Sequence, residues 1–157
     1  MSLGTFDIVY SWGVLHHTGN MWTAIDNAAT RVNQGGLFFI ALYNRQGIKS
    51  ERWLRVKRLY CSGIWGRLLV TSVFVPMFFL RALITSVVHK KNVFSNHKTQ
   101  RGMSIVHDWR DWLGGLPFEV ASVEEVFHFL RDRGFELVNL KTTNGLGNNE
   151  LVFTRSR

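Results

Sequence analysis

The amino-acid sequence predicts an α/β fold: a partial Rossmann-like sheet joined to a helical insert. Three observations lead to this prediction. A strand–helix–strand pattern covers residues 6–44, a helix and hairpin pattern covers residues 122–155, and a basic, apolar helical segment lies between them. The 157 residues, 46% of them hydrophobic, suffice for one domain with a buried core.

The first pattern is typical of a parallel crossover unit. Phe6–Tyr10 is a short apolar run rich in β-forming residues, which predicts a strand buried on both faces. Residues 18–20 (Thr-Gly-Asn) carry helix-start chemistry, and apolar residues then recur at helical spacing until 35–36 (Gly-Gly), where the helix is expected to end. Leu37–Leu42 is the second predicted strand. A connection of this length joins parallel strands in a right-handed crossover.

The last pattern predicts a capped helix followed by an antiparallel hairpin. Ser122 and Glu125 are spaced as a capping box, in which each residue bonds the backbone amide of the other. Phe135–Leu140 and Glu150–Arg155 are expected to pair, because Asn and Gly residues between them favour turns. The complete sheet should therefore have four strands, the first two parallel and one strand antiparallel to the rest.

The middle of the chain holds most of the positive charge. Residues 45–101 contain 12 Lys and Arg against one acidic residue, whereas the remainder contains 7 against 10, for a net charge of +8. Residues 50–62 have the pattern of an amphipathic helix. Its apolar face comprises Trp53, Val56, Leu59 and Tyr60.

Residues 64–88 form a long apolar segment interrupted by Arg67, Pro76 and Arg81. Its length would permit a membrane span. Each arginine near a bilayer centre would cost about 2.5–3.5 kcal/mol, which disfavours a span. Residues 50–88 are therefore expected to cap the active site or to lie on a membrane surface. Nucleic acid is a disfavoured partner, because the basic residues alternate with aliphatic runs and form no recognisable binding motif.

Cysteine content and the start of the sequence bear on location. Cys61 is the single cysteine, which excludes an intrachain disulfide and a cysteine-based zinc site. One histidine and two aspartates (His107, Asp108 and Asp111), with no further cluster of potential ligands, do not predict a metal site. No signal-peptide pattern is visible. A cytoplasmic location is expected, peripheral to a membrane if residues 50–88 lie on one.

Several strings together resemble a known family. FDIVYSWGVLHHTG (residues 6–19), followed by a helix, QGG and LFFIALYN, is similar to the fourth and fifth strands of class I S-adenosylmethionine-dependent methyltransferases, quinone-methylase-like members above all. Residues 115–155 resemble the last helix and closing hairpin of that fold. The resemblance implies a C-terminal half domain made of 5–44 and 102–157, interrupted by the insert at 45–101, with S-adenosylmethionine as cofactor.

The sequence departs from that family in one respect. The family's glycine-rich turn and its ribose-binding acidic residue have no counterpart, and the Gly-x-Gly at 145–147 suits a hairpin turn instead. Residues 1–4 look like an expression leader. We therefore expect a truncated methyltransferase that is inactive by itself. Its first strand would be an open sheet edge, which predicts self-association.

The resemblance also assigns cofactor-binding candidates. It places Tyr10, Ser11, Trp12 and Gly13 against the methionine part of the cofactor. An aromatic face near a cation is favourable, so Trp12 suits a positively charged sulfur. The alternative is that Trp12 is an ordinary core or edge aromatic.

The remaining candidates concern the acceptor. His16 and His17 follow the first strand, and either could act as base toward an acidic hydroxyl. A helix-start histidine bonded to backbone is the alternative. By the resemblance, Tyr43 and Asn44 contact the acceptor, although a polar pair also commonly begins a loop.

Two classes of function compete with the enzymatic one. The resemblance implies methyl transfer to a small acceptor, for which a hydrophobic quinone- or lipid-like molecule is plausible. The chain could instead be a non-enzymatic, self-associating interaction module. It could also be a peripheral membrane protein that acts through residues 50–88.

Overall fold

A computed structural model describes residues 4–90 and 104–156 and divides the chain into two compact units. The sheet unit extends to Glu51 and resumes at Pro117, and the helical unit runs from Arg52 to Leu116. Residues 1–3 of the predicted leader at 1–4 lie outside the described residues.

The sheet unit contains the four strands that the sequence predicts. They are β1 (Phe6–Trp12), β2 (Val32–Tyr43), β3 (Phe135–Lys141) and β4 (Asn148–Arg155), in the spatial order β1-β2-β4-β3. β1 and β2 are parallel, and β4 is antiparallel to both β2 and β3. The predicted α/β class, with one antiparallel strand, is therefore confirmed.

Two helices cover one face of this sheet. They are α1 (Met21–Ala29) and a helix that we label α5 (Val123–Arg131), and Trp22 and Phe129 join them with ring centroids 4.8 Å apart. Strand residues alternate between faces, so every second residue points toward these helices. The buried side chains of that core include Ile25, Val126, Leu130, Phe38, Ile40, Leu42, Leu151 and Phe153.

The opposite face of the sheet carries apolar side chains that remain exposed. The register pairs Ile8 with Leu37 and Tyr10 with Phe39, so these side chains form rows across the face. Ile8 is 66% exposed and Tyr10 65% exposed. The prediction that the first strand is buried on both faces is wrong. β1 lies at the end of the strand order and pairs with β2 alone among the described residues.

Two predicted boundaries are corrected as well. α1 ends at Ala29 and β2 already begins at Val32, so the glycine pair at 35–36 lies inside a strand and does not end the helix. A Cβ at Gly36 would lie 3.0 Å from the carbonyl oxygen of Asp7. The glycine therefore permits a close approach between β1 and β2.

Within its described residues, the helical unit has three helices. They are α2 (Ile48–Cys61), which begins in the sheet unit, α3 (Ile64–Val88) and α4 (Ile105–Gly114). α3 continues through Pro76. The ring of Trp112 on α4 lies 4.3 Å from that of Trp53 on α2. Trp109 similarly lies 5.8 Å from Phe78 on α3.

The buried face of α2 differs from the predicted one. Trp53, Lys57 and Tyr60 are buried, whereas Leu59 is 43% exposed. Lys57 is not part of the predicted apolar face, but its Nζ donates a hydrogen bond of 2.5 Å to the carbonyl oxygen of Trp112. This bond gives the buried ammonium a partner that a helical wheel does not reveal.

Candidate active site

The candidate site lies where β1 and β2 end at the same edge of the sheet. The Gly13 amide donates to the Ala41 carbonyl oxygen over 3.1 Å, which carries the pairing just beyond Trp12. Gly13 has φ +74°, a conformation that turns the chain away from the sheet and suits glycine. A short 3₁₀ turn at Leu15–His17 follows directly. The two candidate histidines are thus held beside Tyr43, the last residue of β2.

His16 is a buried part of the scaffold. It is 1% exposed, and its ring centroid lies 4.0 Å from that of Tyr43. The backbone amide of Tyr43 donates to His16 Nδ1 over 3.4 Å. Since this nitrogen accepts a hydrogen bond, the proton of the neutral ring is on Nε2. His16 therefore orients Tyr43 and the end of β2.

His17 has the opposite arrangement. Its Nδ1 lies 2.6 Å from the carbonyl oxygen of Pro117, and a carbonyl can only accept, so Nδ1 carries the proton. In the neutral ring, Nε2 then holds the free lone pair. The side chain is half-buried, with its ring edge-on to Tyr43 at 5.4 Å. Of the two histidines, His17 has the geometry of a base.

Residues 117–121 build the other wall of the site. The Glu119 amide donates to the His16 carbonyl oxygen, and the Ala121 amide donates to the Tyr43 carbonyl oxygen, each over 3.0 Å. The ring of Phe118 lies 5.3 Å from that of Tyr43. Sequence reasoning assigned no role to this segment, because nothing local shows that it returns to the ends of β1 and β2.

Glu119 also caps α1. Its two carboxylate oxygens accept from the Met21 amide over 3.1 and 3.2 Å. The sequence pointed instead to the Thr-Gly-Asn run at 18–20, but the Asn20 side chain makes no capping hydrogen bond. A carboxylate at a helix N-terminus satisfies a free amide and favours the helix dipole.

The acceptor candidates have different surroundings. Tyr43 lies among aromatic rings, as described above. Asn44 connects to the β3–β4 loop, since its Nδ2 donates to the Thr143 carbonyl oxygen over 2.7 Å. The backbone amide of Asn44 also donates to the Gly147 carbonyl oxygen over 3.0 Å. The Gly-x-Gly at 145–147 thus lies in a hairpin connection, as predicted from the sequence.

The cofactor candidates divide between the two faces of the sheet. Tyr10 and Trp12 lie on the exposed face, where Trp12 is 42% exposed and the Tyr10 ring lies 5.3 Å from Phe39. Ser11 points to the other face and is half-buried. Exposed aromatic faces fit the sulfonium and methionine end of S-adenosylmethionine. The nearby carboxylate, Glu119, is already used to cap α1 and does not fit a ribose contact.

Metal ligands do not gather in the described parts of the chain: no group of three or more His, Cys, Asp or Glu lies close enough there to hold an ion. Asp108 and Asp111 lie on α4, in the helical unit.

Among solved structures, the chain has similarity to a larger protein. An O-methyltransferase family protein from Burkholderia thailandensis is 15% identical, with a TM-score of 0.45, over 98% of this chain and 31% of that protein. The chain thus spans about a third of the length of this protein. No protein-family model matches the sequence, and no curated protein sequence matches it.

Proposed function

We propose that the carboxyl edge of the sheet unit is the acceptor side of a methyl-transfer site of the class I S-adenosylmethionine-dependent type. The observation that carries this proposal is the orientation of His17. Its Nδ1 proton is bonded to the Pro117 carbonyl oxygen, which leaves Nε2 as the basic nitrogen beside Tyr43. A base fixed in one tautomer at the carboxyl ends of parallel strands suits proton removal from a bound hydroxyl.

The proposed role of His17 concerns only the acceptor and not the cofactor. Nε2 takes the proton of an acidic hydroxyl as that oxygen becomes a nucleophile, and the imidazolium then keeps its Nδ1–H bond to the Pro117 carbonyl. The carbonyl dipole stabilises the positive ring and holds its orientation. S-adenosylmethionine, when bound, would supply a methyl group on a positively charged sulfur.

The surroundings favour a flat, apolar acceptor. The Tyr43 ring contacts His16, His17 and Phe118 at 4.0, 5.4 and 5.3 Å, so this part of the site is largely aromatic. Aromatic rings pack favourably against one another in tilted or offset geometry. A small phenolic or quinol-like molecule, with an ionisable hydroxyl and an apolar body, matches both this surface and the base.

We infer that the chain alone does not turn over. The resemblance assigns the adenosine contacts to a glycine-rich turn and an acidic strand end, and the sequence contains neither pattern. The exposed aromatic residues Tyr10 and Trp12 can still contact the sulfonium end. Weak, saturable binding of the cofactor without catalysis is the expected behaviour.

The test is an NMR titration of the full chain with S-adenosylmethionine and, separately, with S-adenosylhomocysteine. We expect shifts of the His17, Tyr43 and Trp12 ring signals, with the sulfonium form bound more tightly. A cation–π contact at an exposed site is worth about 0.5–1 kcal/mol, so Trp12→Leu should reduce that preference roughly two- to fivefold.

Trp65→Leu is the matched control, because Trp65 is 82% exposed and lies in the helical unit. It should leave the preference unchanged. If neither ligand changes the chemical shifts of His17 and Tyr43 at the highest soluble ligand concentration, the proposed function is wrong.

A further inference from the structure

Helix α3 has a composition that its burial does not explain. Among the described residues, it is the one helix long and apolar enough to cross a membrane, yet only 11% of its most apolar window is buried inside the protein. A core helix of similar composition would be mostly buried. Large exposed apolar patches of this kind mark contact surfaces.

The two sides of α3 differ in their contacts. The inner side packs within the helical unit, where Phe74 lies 5.5 Å from Trp53 and Phe78 lies 5.9 Å from Trp112. The outer face is more apolar still. We define it by six residues that recur at helical spacing and are each 46–82% exposed: Trp65, Leu69, Val73, Leu80, Leu83 and Val87.

The charges of α3 lie away from this outer face. At 3.6 residues per turn, Arg67 and Arg81 are roughly 120–160° from its centre. The Arg67 guanidinium lies 5.5 Å from the centre of the Tyr60 ring, on the side toward α2. A charge-free apolar face with the cations on the opposite side of the helix is the pattern of a helix that lies in a membrane interface.

The rest of the helical unit is complementary to an anionic surface. Arg52, Arg55 and Arg58 are exposed along α2, and Arg110 is exposed on α4. The acidic residues between Arg52 and Leu116 are Asp108 and Asp111. Basic residues beside an apolar helix face are attracted to the negative lipids of a bilayer.

We propose that the outer face of α3 docks on an anionic lipid bilayer, with the helix lying in the plane of the interface. A spanning orientation is disfavoured by the inner side. The ring contacts of Phe74 and Phe78 bind α2 and α4 to α3, and those helices would bring Arg52, Arg55 and Arg110 into hydrocarbon. This inference is independent of the proposed methyl transfer.

The test is flotation of the full chain with vesicles of phosphatidylglycerol and phosphatidylcholine, compared with phosphatidylcholine alone. We expect binding that needs the anionic lipid and weakens at high salt. The double variant Leu69→Glu, Leu80→Glu should lower the partition constant at least tenfold. The control is the double variant Thr23→Glu, Asn27→Glu, which changes the net charge equally at exposed sites of α1. Its partition constant should stay within twofold of that of the natural protein.

A second measurement needs no charged substitution. Tryptophan quenching by lipids brominated at a shallow or a deep position, compared between the natural protein and Trp65→Phe, should place Trp65 at the shallow position. Deep quenching would overturn the in-plane orientation. The whole proposal fails if the natural protein does not bind anionic vesicles, or if the double variant binds them as well as the natural protein does. A dimer that this variant makes monomeric, without lipid binding, would instead assign the face to a second copy.

Discussion

Two adjacent histidines show how far the surroundings of a residue decide its role. His16 is buried against Tyr43, whereas His17 is half-buried and bonded to one backbone carbonyl. We predict that His16→Ala lowers the free energy of unfolding by about 2–4 kcal/mol, because it leaves a cavity beneath a ring. His17→Ala should cost at most about 1 kcal/mol, the value of one hydrogen bond. Urea unfolding measures the stability of both variants. Equal losses would contradict the assignment of His16, and not His17, to the buried scaffold.

The buried Lys57 should make the stability of the protein depend on pH. Burial lowers the pKa of Lys57 from its ordinary 10.5 to about 8, against opposing effects of Asp111 and Cys61. Between these values the folded protein binds fewer protons than the unfolded chain, so stability rises with pH from about 8 to about 10.5. The gain attributable to Lys57 is at most about 3 kcal/mol.

Lys57→Met is the comparison that isolates this effect, since it keeps an unbranched side chain at the buried position. Chemical denaturation of both proteins from pH 7 to 10.5 should show the natural protein gaining stability relative to the variant. A difference that stays constant over this range would mean that Lys57 does not titrate there.

Residue-level roles were the least predictable part of the candidate site. The sequence identified His16 and His17 together, but only the fold shows that Pro117 orients one and Tyr43 packs on the other. Glu119 caps α1 from 98 residues further along the chain. Such contacts depend on tertiary proximity, which no local spacing encodes.

At the scale of elements, the junction of α2 and α3 depends on a glycine. A Cβ at Gly66 would lie 2.1 Å from the Leu59 carbonyl oxygen, so the turn between the helices must open to admit one. We predict that Gly66→Ala lowers the stability by about 1–3 kcal/mol, in the range of overpacked sites, despite the better helix propensity of alanine. Gly145→Ala is the control, because its nearest neighbour would be 3.8 Å away. Equal thermal unfolding of the two variants would contradict this account.

Elements with strong patterns were predicted well. The long apolar segment became a helix with the predicted bounds, Ile64–Val88, and the capping box forms through reciprocal Ser122 and Glu125 hydrogen bonds of 2.8 and 3.1 Å. β2 was predicted six residues too short, five at its start and one at its end. Glycine normally interrupts a strand, and here close packing against β1 requires it at Gly36.

At the scale of the whole molecule, two exposed apolar surfaces coexist with a net charge of +8. One is the outer face of α3, and the other is the edge and open face of β1, where Ile8 and Tyr10 are about two-thirds exposed. In a parallel ladder, alternate amides and carbonyls of an edge strand point outward. Such an edge can pair with the same strand of a second copy about a twofold axis.

We therefore predict that the protein self-associates through β1, which sedimentation velocity over a range of concentrations would show. Ile8→Lys should weaken association at least about tenfold, because a charge on an edge strand opposes pairing. Thr23→Lys adds the same charge on α1 and should have little effect. Salt should strengthen this association by screening the repulsion between two cationic copies, whereas it should weaken lipid binding by α3. Association that Ile8→Lys leaves intact, or that salt weakens, would exclude the β1 edge as the contact.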